Sequence, residues 1–112
     1  MTEQLTCTLT VDPHLRPVLR VRGEVDLVTA EKFREAALDA VCRHHWVVFD
    51  LSGAMLLDAS GLRVLSAAAR EARRLGHRAP LLRGVRPLLA RSLKITGLHD
   101  AFERESAGPQ AL

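Results

Sequence analysis

Ser60 is the residue of this chain best placed to do chemistry. It stands in Asp58-Ala59-Ser60-Gly61-Leu62, after the apolar run Trp46-Val47-Val48-Phe49-Asp50-Leu51 and before a stretch with helical spacing from Leu62 to Leu75. A serine where a loop turns into a helix meets unpaired backbone N–H groups and the positive end of a helix dipole. An anion, including a phosphate on the serine itself, would be stabilised there. Capping is the commoner role for such residues, and Asp58 or Ser60 would each serve as an N-cap.

A nucleophilic serine would need a base and an exposing turn. Asp26, Asp50, Asp58 and five histidines are available. However, Ala59-Ser60-Gly61 lacks the Gly-x-Ser-x-Gly elbow, and no histidine has a context that marks it as the base. Neither common Gly-rich phosphate loop occurs. Enzyme activity and a bound cofactor are therefore not expected. His44-His45 invites a metal reading, but adjacent helix side chains diverge and no third ligand is near. Cys7 and Cys42 lack CxxC spacing and lie in apolar patterns, which predicts free, buried thiols.

The elements that must position Ser60 follow from periodicity. Leu5 to Val11 alternates, with Leu5, Cys7, Leu9 and Val11 on one side and threonines on the other, the signature of a half-buried strand. Asp12-Pro13-His14 reads as a turn. Val18 to Val21 resumes the alternation with Arg20 and Arg22 outward, so the two runs are expected to pair as a hairpin ended by Gly23. Glu24 to Ala30 reads as a connection with Thr29 as N-cap. Ala30, Phe33, Ala37 and Val41 then define the buried face of a first helix.

Trp46 to Leu51 has the pattern of a central strand. Ser52 to Leu57 reads as a loop in which Met55 and Leu56 are candidates for a contact surface. The second helix turns Leu62, Leu65, Ala69 and Ala72 inward and ends at Gly76. Ala79-Pro80-Leu81-Leu82 predicts a short strand at an edge or beginning at its proline. Pro87 opens a third helix with Leu89 and Leu93 inward and Leu88 and Ile95 close beside that face. Leu98 to Glu103 is expected to form a last strand or turn. The order strand, strand, helix, strand, helix, strand, helix argues for an α/β layer with a mostly parallel sheet.

The 112 residues are expected to form one domain, with a core at about 5–103 and a flexible tail at 104–112. Net charge is +3, with both signs interspersed and no aromatic residues among the basic ones, so nucleic-acid binding through Arg63, Arg70, Arg73, Arg74 and Arg78 is a minor alternative. No basic-then-apolar leader and no apolar run of about 20 residues is present, which predicts no membrane contact and a cytoplasmic protein.

Four stretches carry a resemblance: Arg22-Gly23-Glu24-Val25-Asp26-Leu27, Val47 to Gly53, Leu57-Asp58-Ala59-Ser60-Gly61-Leu62, and Leu93 to Leu98. Together, in order and spacing, the chain resembles the STAS domain, specifically the stand-alone anti-sigma factor antagonists of bacteria. The resemblance implies a mixed sheet of four to five strands with helices largely on one face. It also implies a switch. The unphosphorylated protein binds an anti-sigma factor that is itself a serine kinase and so frees a sigma factor; phosphorylation at Ser60 blocks binding, and a phosphatase resets it.

By motif position Ser60 is the phosphoacceptor, and Asp26 and Asp58 fall on the acidic positions of the family's partner-facing surface; Met55, Leu56, Ala59, Gly61 and Arg63 are further candidates for partner binding, the pair Met55-Leu56 being a departure from the common pattern. Leu82-Arg83-Gly84-Val85-Arg86-Pro87 departs from the Ser-Pro or Pro-Pro turn common in the family before the third helix, which bears on partner identity. A non-switching STAS scaffold, or a small-ligand sensor in a stress-signalling complex, is the alternative within the same fold.

Overall fold

The computed structural model describes residues 4–105. Five strands form one sheet in the order β1-β2-β3-β4-β5. They are β1 (Leu5–Val11), β2 (Pro17–Val25), β3 (Val48–Leu57), β4 (Leu81–Arg83) and β5 (Glu103–Arg104). Only β1 runs antiparallel to its neighbour; β2 through β5 are mutually parallel. Parallel neighbours need crossovers, supplied by α1 (Ala30–Arg43), α2 (Ala59–Arg74) and α3 (Pro87–Ile95). A 3₁₀ turn at His99–Ala101 leads into β5. The expected mixed sheet thus has five strands and three helices.

All three helices lie on one face of the sheet. Leu19 and Val21 of β2, Phe49 and Leu51 of β3 and Leu82 of β4 share one core with Phe33 and Ala37 of α1, Leu65 and Ala68 of α2 and Leu93 of α3. The opposite face holds a separate small cluster, Val18, Val48 and Leu81, which are register partners on adjacent strands. No helix covers it. Trp46 does, with the Arg78 guanidinium 3.7 Å from its ring centroid and that of Arg16 at 5.6 Å.

Two strands run further than local sequence indicates. β2 passes Gly23 to Val25, because Gly23 adopts φ +111° at a shift in register, where a Cβ would stand 2.1 Å from the carbonyl oxygen of Gln4. Glycine there bends the strand instead of ending it. Ser52 to Leu57 is strand, not loop, since Gly53, Ala54, Leu56 and Leu57 pair with Arg22, Gly23, Glu24 and Val25.

Other expectations shift with the packing. Pro80 precedes an interior strand, not an edge, and its carbonyl accepts the N–H of Glu103. Val64 and Ala68 are buried alongside the expected face of α2, because that helix packs on α1 as well as on the sheet, while Leu62 is half-buried. Leu88 and Ile95 are exposed, at 77% and 74%, leaving Leu93 as the buried residue of α3. Cys42 is exposed and Cys7 half-buried; both are free. Cys42 follows Val41 on α1 and so points off the buried face. Of the expected tail, Arg104 belongs to β5, and residues 106–112 lie outside the described residues.

Candidate functional site

The site lies where β2 and β3 end. Val25 and Leu57 are register partners, and the N–H of Asp58 donates to the carbonyl of Val25 at 3.1 Å. Asp26 and Asp58, each one residue past these strand ends, are thereby brought to the same end of the sheet. The Asp58 carboxylate caps the helix that follows it, and the Asp26 carboxylate holds the turn that precedes α1.

Asp26 Oδ1 accepts from the N–H groups of Val28 and Thr29 at 2.9 and 3.0 Å and from the Thr29 hydroxyl at 3.2 Å. The Thr29 side chain makes no cap bond to α1; its hydroxyl donates to the carbonyl of Glu24 at 2.7 Å. Thr29 thus stands at the expected N-cap position of α1 without a side-chain cap bond, and Asp26 holds the turn that leads into it.

Asp58 is the N-cap of α2. Its Oδ1 accepts from the N–H of Ser60 at 2.8 Å and of Gly61 at 3.4 Å. Ser60 is thus the second residue of the helix, not its cap, and of the N–H groups expected to be open at this end those of Ser60 and Gly61 are held by Asp58. The Ser60 hydroxyl makes no hydrogen bond, and Trp46 Nε1 is the sole buried side-chain polar atom without a partner among the described residues. The half-buried Ser60 therefore keeps its Oγ within reach of solvent.

Gly61 is buried beneath the same turn. A Cβ at that position would lie 2.5 Å from Leu57 Cγ and 3.0 Å from Val25 Cγ1. Only glycine lets α2 begin this close to the ends of β2 and β3.

Around this turn the surface is apolar and open. Met55 is 67% exposed and Leu56 48%; Ala59 and Arg63 are exposed too. Leu27 and Val28, read from sequence as part of a connection, are about four-fifths exposed. Two adjacent apolar residues directly after Asp26 were the signal for them. Arg86, in the turn that departs from the family pattern, donates to the Ser52 carbonyl at 3.0 Å and lies 3.6 Å from Met55 Sδ. With Leu88 and Leu89 it lines a cleft of about 230 Å³ between β3 and α3. Met55 is therefore held from the α3 side.

The other residues weighed for chemistry lie elsewhere. Asp50 is buried on the helix-free face, where it accepts from the Ser52 N–H and hydroxyl and stands 3.8 Å from Arg20. His45 packs edge-on against His77, whose Nδ1 is 3.0 Å from the Val41 carbonyl. Among the described residues no group of three His, Cys, Asp or Glu side chains is arranged to hold a metal, and no helix is long and apolar enough to cross a membrane.

A family model described as Mlab, STAS domain, matches residues 10–104. An anti-sigma factor antagonist from Mycobacterium paratuberculosis has a similar structure, with 27% identity, 96% of this chain and 90% of that chain covered, and a TM-score of 0.74. The unphosphorylated anti-sigma factor antagonist SpoIIAA matches with 17% identity over 95% of this chain and 93% of its own, at a TM-score of 0.70. The phosphorylated form of the Bacillus cell fate determinant SpoIIAA matches with 18% identity, 95% and 96% coverage and a TM-score of 0.68. Comparison with curated proteins gave no match. The chain belongs to the STAS-domain family, and its fold is that of the anti-sigma factor antagonists.

Proposed function

We propose that this protein is a cytoplasmic, phosphorylation-switched antagonist of an anti-sigma factor. In its unphosphorylated form it binds an anti-sigma factor serine kinase through the end of the sheet that carries Asp26, Met55, Leu56, Asp58, Ala59, Ser60, Gly61 and Arg63, and a sigma factor is released. Phosphate on Ser60 ends that binding, and a phosphatase restores it. The chain acts by binding, not by catalysis.

The observation that carries this reading is the pairing of a solvent-reachable, unbonded Ser60 hydroxyl with an Asp58 carboxylate that holds the N–H groups of Ser60 and Gly61. A phosphate adds about −1.5 to −2 charges at neutral pH. At an open helix start it would be drawn onto free N–H groups; here the N–H groups of Ser60 and Gly61 are engaged by Asp58, and it would meet a carboxylate. A partner surface fitted to a neutral hydroxyl and to exposed Leu27, Val28, Met55 and Leu56 would face excess negative charge, and like-charge juxtaposition at an interface costs several kcal/mol. Refolding is not required. The phosphorylated and unphosphorylated SpoIIAA structures both share this fold, with TM-scores of 0.68 and 0.70.

The test is phosphorylation by candidate anti-sigma kinases with ATP, mapped by mass spectrometry, together with binding of two variants. Ser60→Asp should bind the cognate anti-sigma factor at least about tenfold more weakly, a loss of roughly 1.4 kcal/mol. Ser60→Ala should bind like wild type and resist phosphorylation. Phosphate found elsewhere with Ser60 untouched would sink the assignment. Two variants that both bind like wild type would instead favour a non-switching scaffold.

A further inference from the structure

The two edges of the sheet are built differently. β5 is two residues long, Glu103–Arg104, both charged, with Glu103 held by Arg78. That is how native proteins blunt an edge. β1 is seven residues long and reads LTCTLTV, with neither charge nor proline. Among the described residues no strand lies outside it.

The hydrogen-bond pattern tells which backbone groups β1 leaves open. The N–H of Glu24 donates to the Gln4 carbonyl, and the N–H of Asp12 donates to the Arg16 carbonyl. Both contacts continue the β1–β2 register, in which Thr6, Thr8 and Thr10 face Arg22, Arg20 and Val18. In an antiparallel ladder, hydrogen-bonded pairs alternate with non-bonded ones. Thr6, Thr8 and Thr10 therefore spend their N–H and C=O groups on β2. Those of Leu5, Cys7, Leu9 and Val11 point away from the sheet. Their side chains share the helix-side face, yet Leu9 is 44% and Val11 66% exposed, while Leu5 is buried.

We propose that this edge pairs antiparallel with β1 of a second copy about a two-fold axis at Thr8, joining two five-stranded sheets into one. The strand is self-complementary in that register. Leu5 meets Val11 of the second copy and Cys7 meets Leu9, so every outward N–H and C=O finds a partner. On the helix side, apolar residues meet apolar ones. On the other face, Thr6 meets Thr10 and Thr8 meets Thr8, and such cross-strand threonine pairs are favourable.

On the helix-free face charge does not oppose the arrangement; on the helix side Lys32 of α1 lies close enough to act on Cys7. The nearest exposed cations of the ladder, Arg20 and Arg22, sit on β2, so Arg20 and its copy are three strand spacings apart, about 14 Å. That exceeds the screening length of about 8 Å at physiological salt. Because the axis reverses strand direction, the two Ser60 ends emerge at opposite ends of the joined sheet. Neither blocks the other. A strand from an unrelated protein could use the same hydrogen bonds but would have to reproduce the Thr and apolar alternation that a second copy already carries.

Sedimentation of the full-length protein from low to high micromolar concentration tests this. Wild type should pass from monomer to dimer. Leu9→Lys, at an exposed position that leaves the monomer core intact, should raise the dissociation constant at least about tenfold. In a Cys7→Val, Cys42→Ser background, Thr8→Cys should form an intermolecular disulfide on oxidation. A non-bonded antiparallel pair brings Cα atoms to about 4.5 Å, within disulfide reach. Thr10→Cys, which faces Thr6 of the other copy, should not. A monomer throughout the concentration range, as expected if only a foreign strand uses this edge, overturns the proposal. So does a dimer unaffected by Leu9→Lys, or one in which Thr8→Cys does not cross-link.

Discussion

Replacing Gly61 with alanine sets two effects of opposite sign against each other. In a helix interior, Gly→Ala stabilises by about 1 kcal/mol through backbone entropy. Gly61, however, is buried, and the added methyl would stand 2.5 Å from Leu57 Cγ, 2.7 Å from Leu57 Cδ2 and 3.0 Å from Val25 Cγ1. Carbon atoms in contact sit about 3.5–4.0 Å apart, so all three distances are overlaps. Overpacking of this kind costs about 1–3 kcal/mol. Leu57 is half-buried and can swing partly aside, whereas Val25 is fully buried and β-branched. Steric cost therefore wins, and Gly61→Ala should destabilise by about 1 kcal/mol, or about 4 °C in Tm for a domain near this size. Urea unfolding followed by the fluorescence of Trp46, the chain's one tryptophan, measures it. In a Leu57→Ala background most of the overlap disappears, and the same change should become neutral or stabilising. A Gly61→Ala protein as stable as wild type, or more so, would refute the claim that glycine is required for the approach of α2 to β2 and β3.

Removing the Asp58 carboxylate should cost about 1 kcal/mol in Asp58→Ala, the usual worth of an N-cap, and much less in Asp58→Asn, as read from urea midpoints. Asp58→Asn also removes the charge facing the Ser60 position, so Ser60→Asp should impair partner binding less in that background; equal penalties would exclude Asp58 as a source of the repulsion. At the other end of the sheet, burial resists ionisation of Asp12. Hydrogen bonds from the Arg16 N–H, the Arg16 and Arg83 guanidiniums and the His14 N–H outweigh it and hold the carboxyl at about 2. A depressed carboxyl stabilises the fold above its unfolded value near 3.8, and that contribution is lost as pH falls toward about 2. The stability difference between wild type and Asp12→Asn should accordingly stay constant above about pH 4 and shrink between there and about pH 2, measured as urea midpoints across pH. A difference that does not change over that window would show that Asp12 does not depend on these partners.

The sequence by itself determined the elements and the place of Ser60. Helices α1, α2 and α3 and strand β1 were legible because their patterns repeat over two to four residues, the range of local backbone geometry. The order of elements then led to a mostly parallel sheet covered by helices, and the family resemblance implied that they lie largely on one face. Tertiary structure decided what depends on distant neighbours. β2 and β3 continue through Gly23 and Gly53 because each offers the other a ladder, which no local turn signal records. Leu88, Ile95 and Cys42 are exposed because they sit off the faces by which their helices pack on the core. Above all, the sequence left open whether Asp58 or Ser60 caps the second helix. The answer came from β3 ending beside β2: the Val25 carbonyl fixes Asp58, Asp58 takes the helix N–H groups, and the Ser60 hydroxyl is left unbonded.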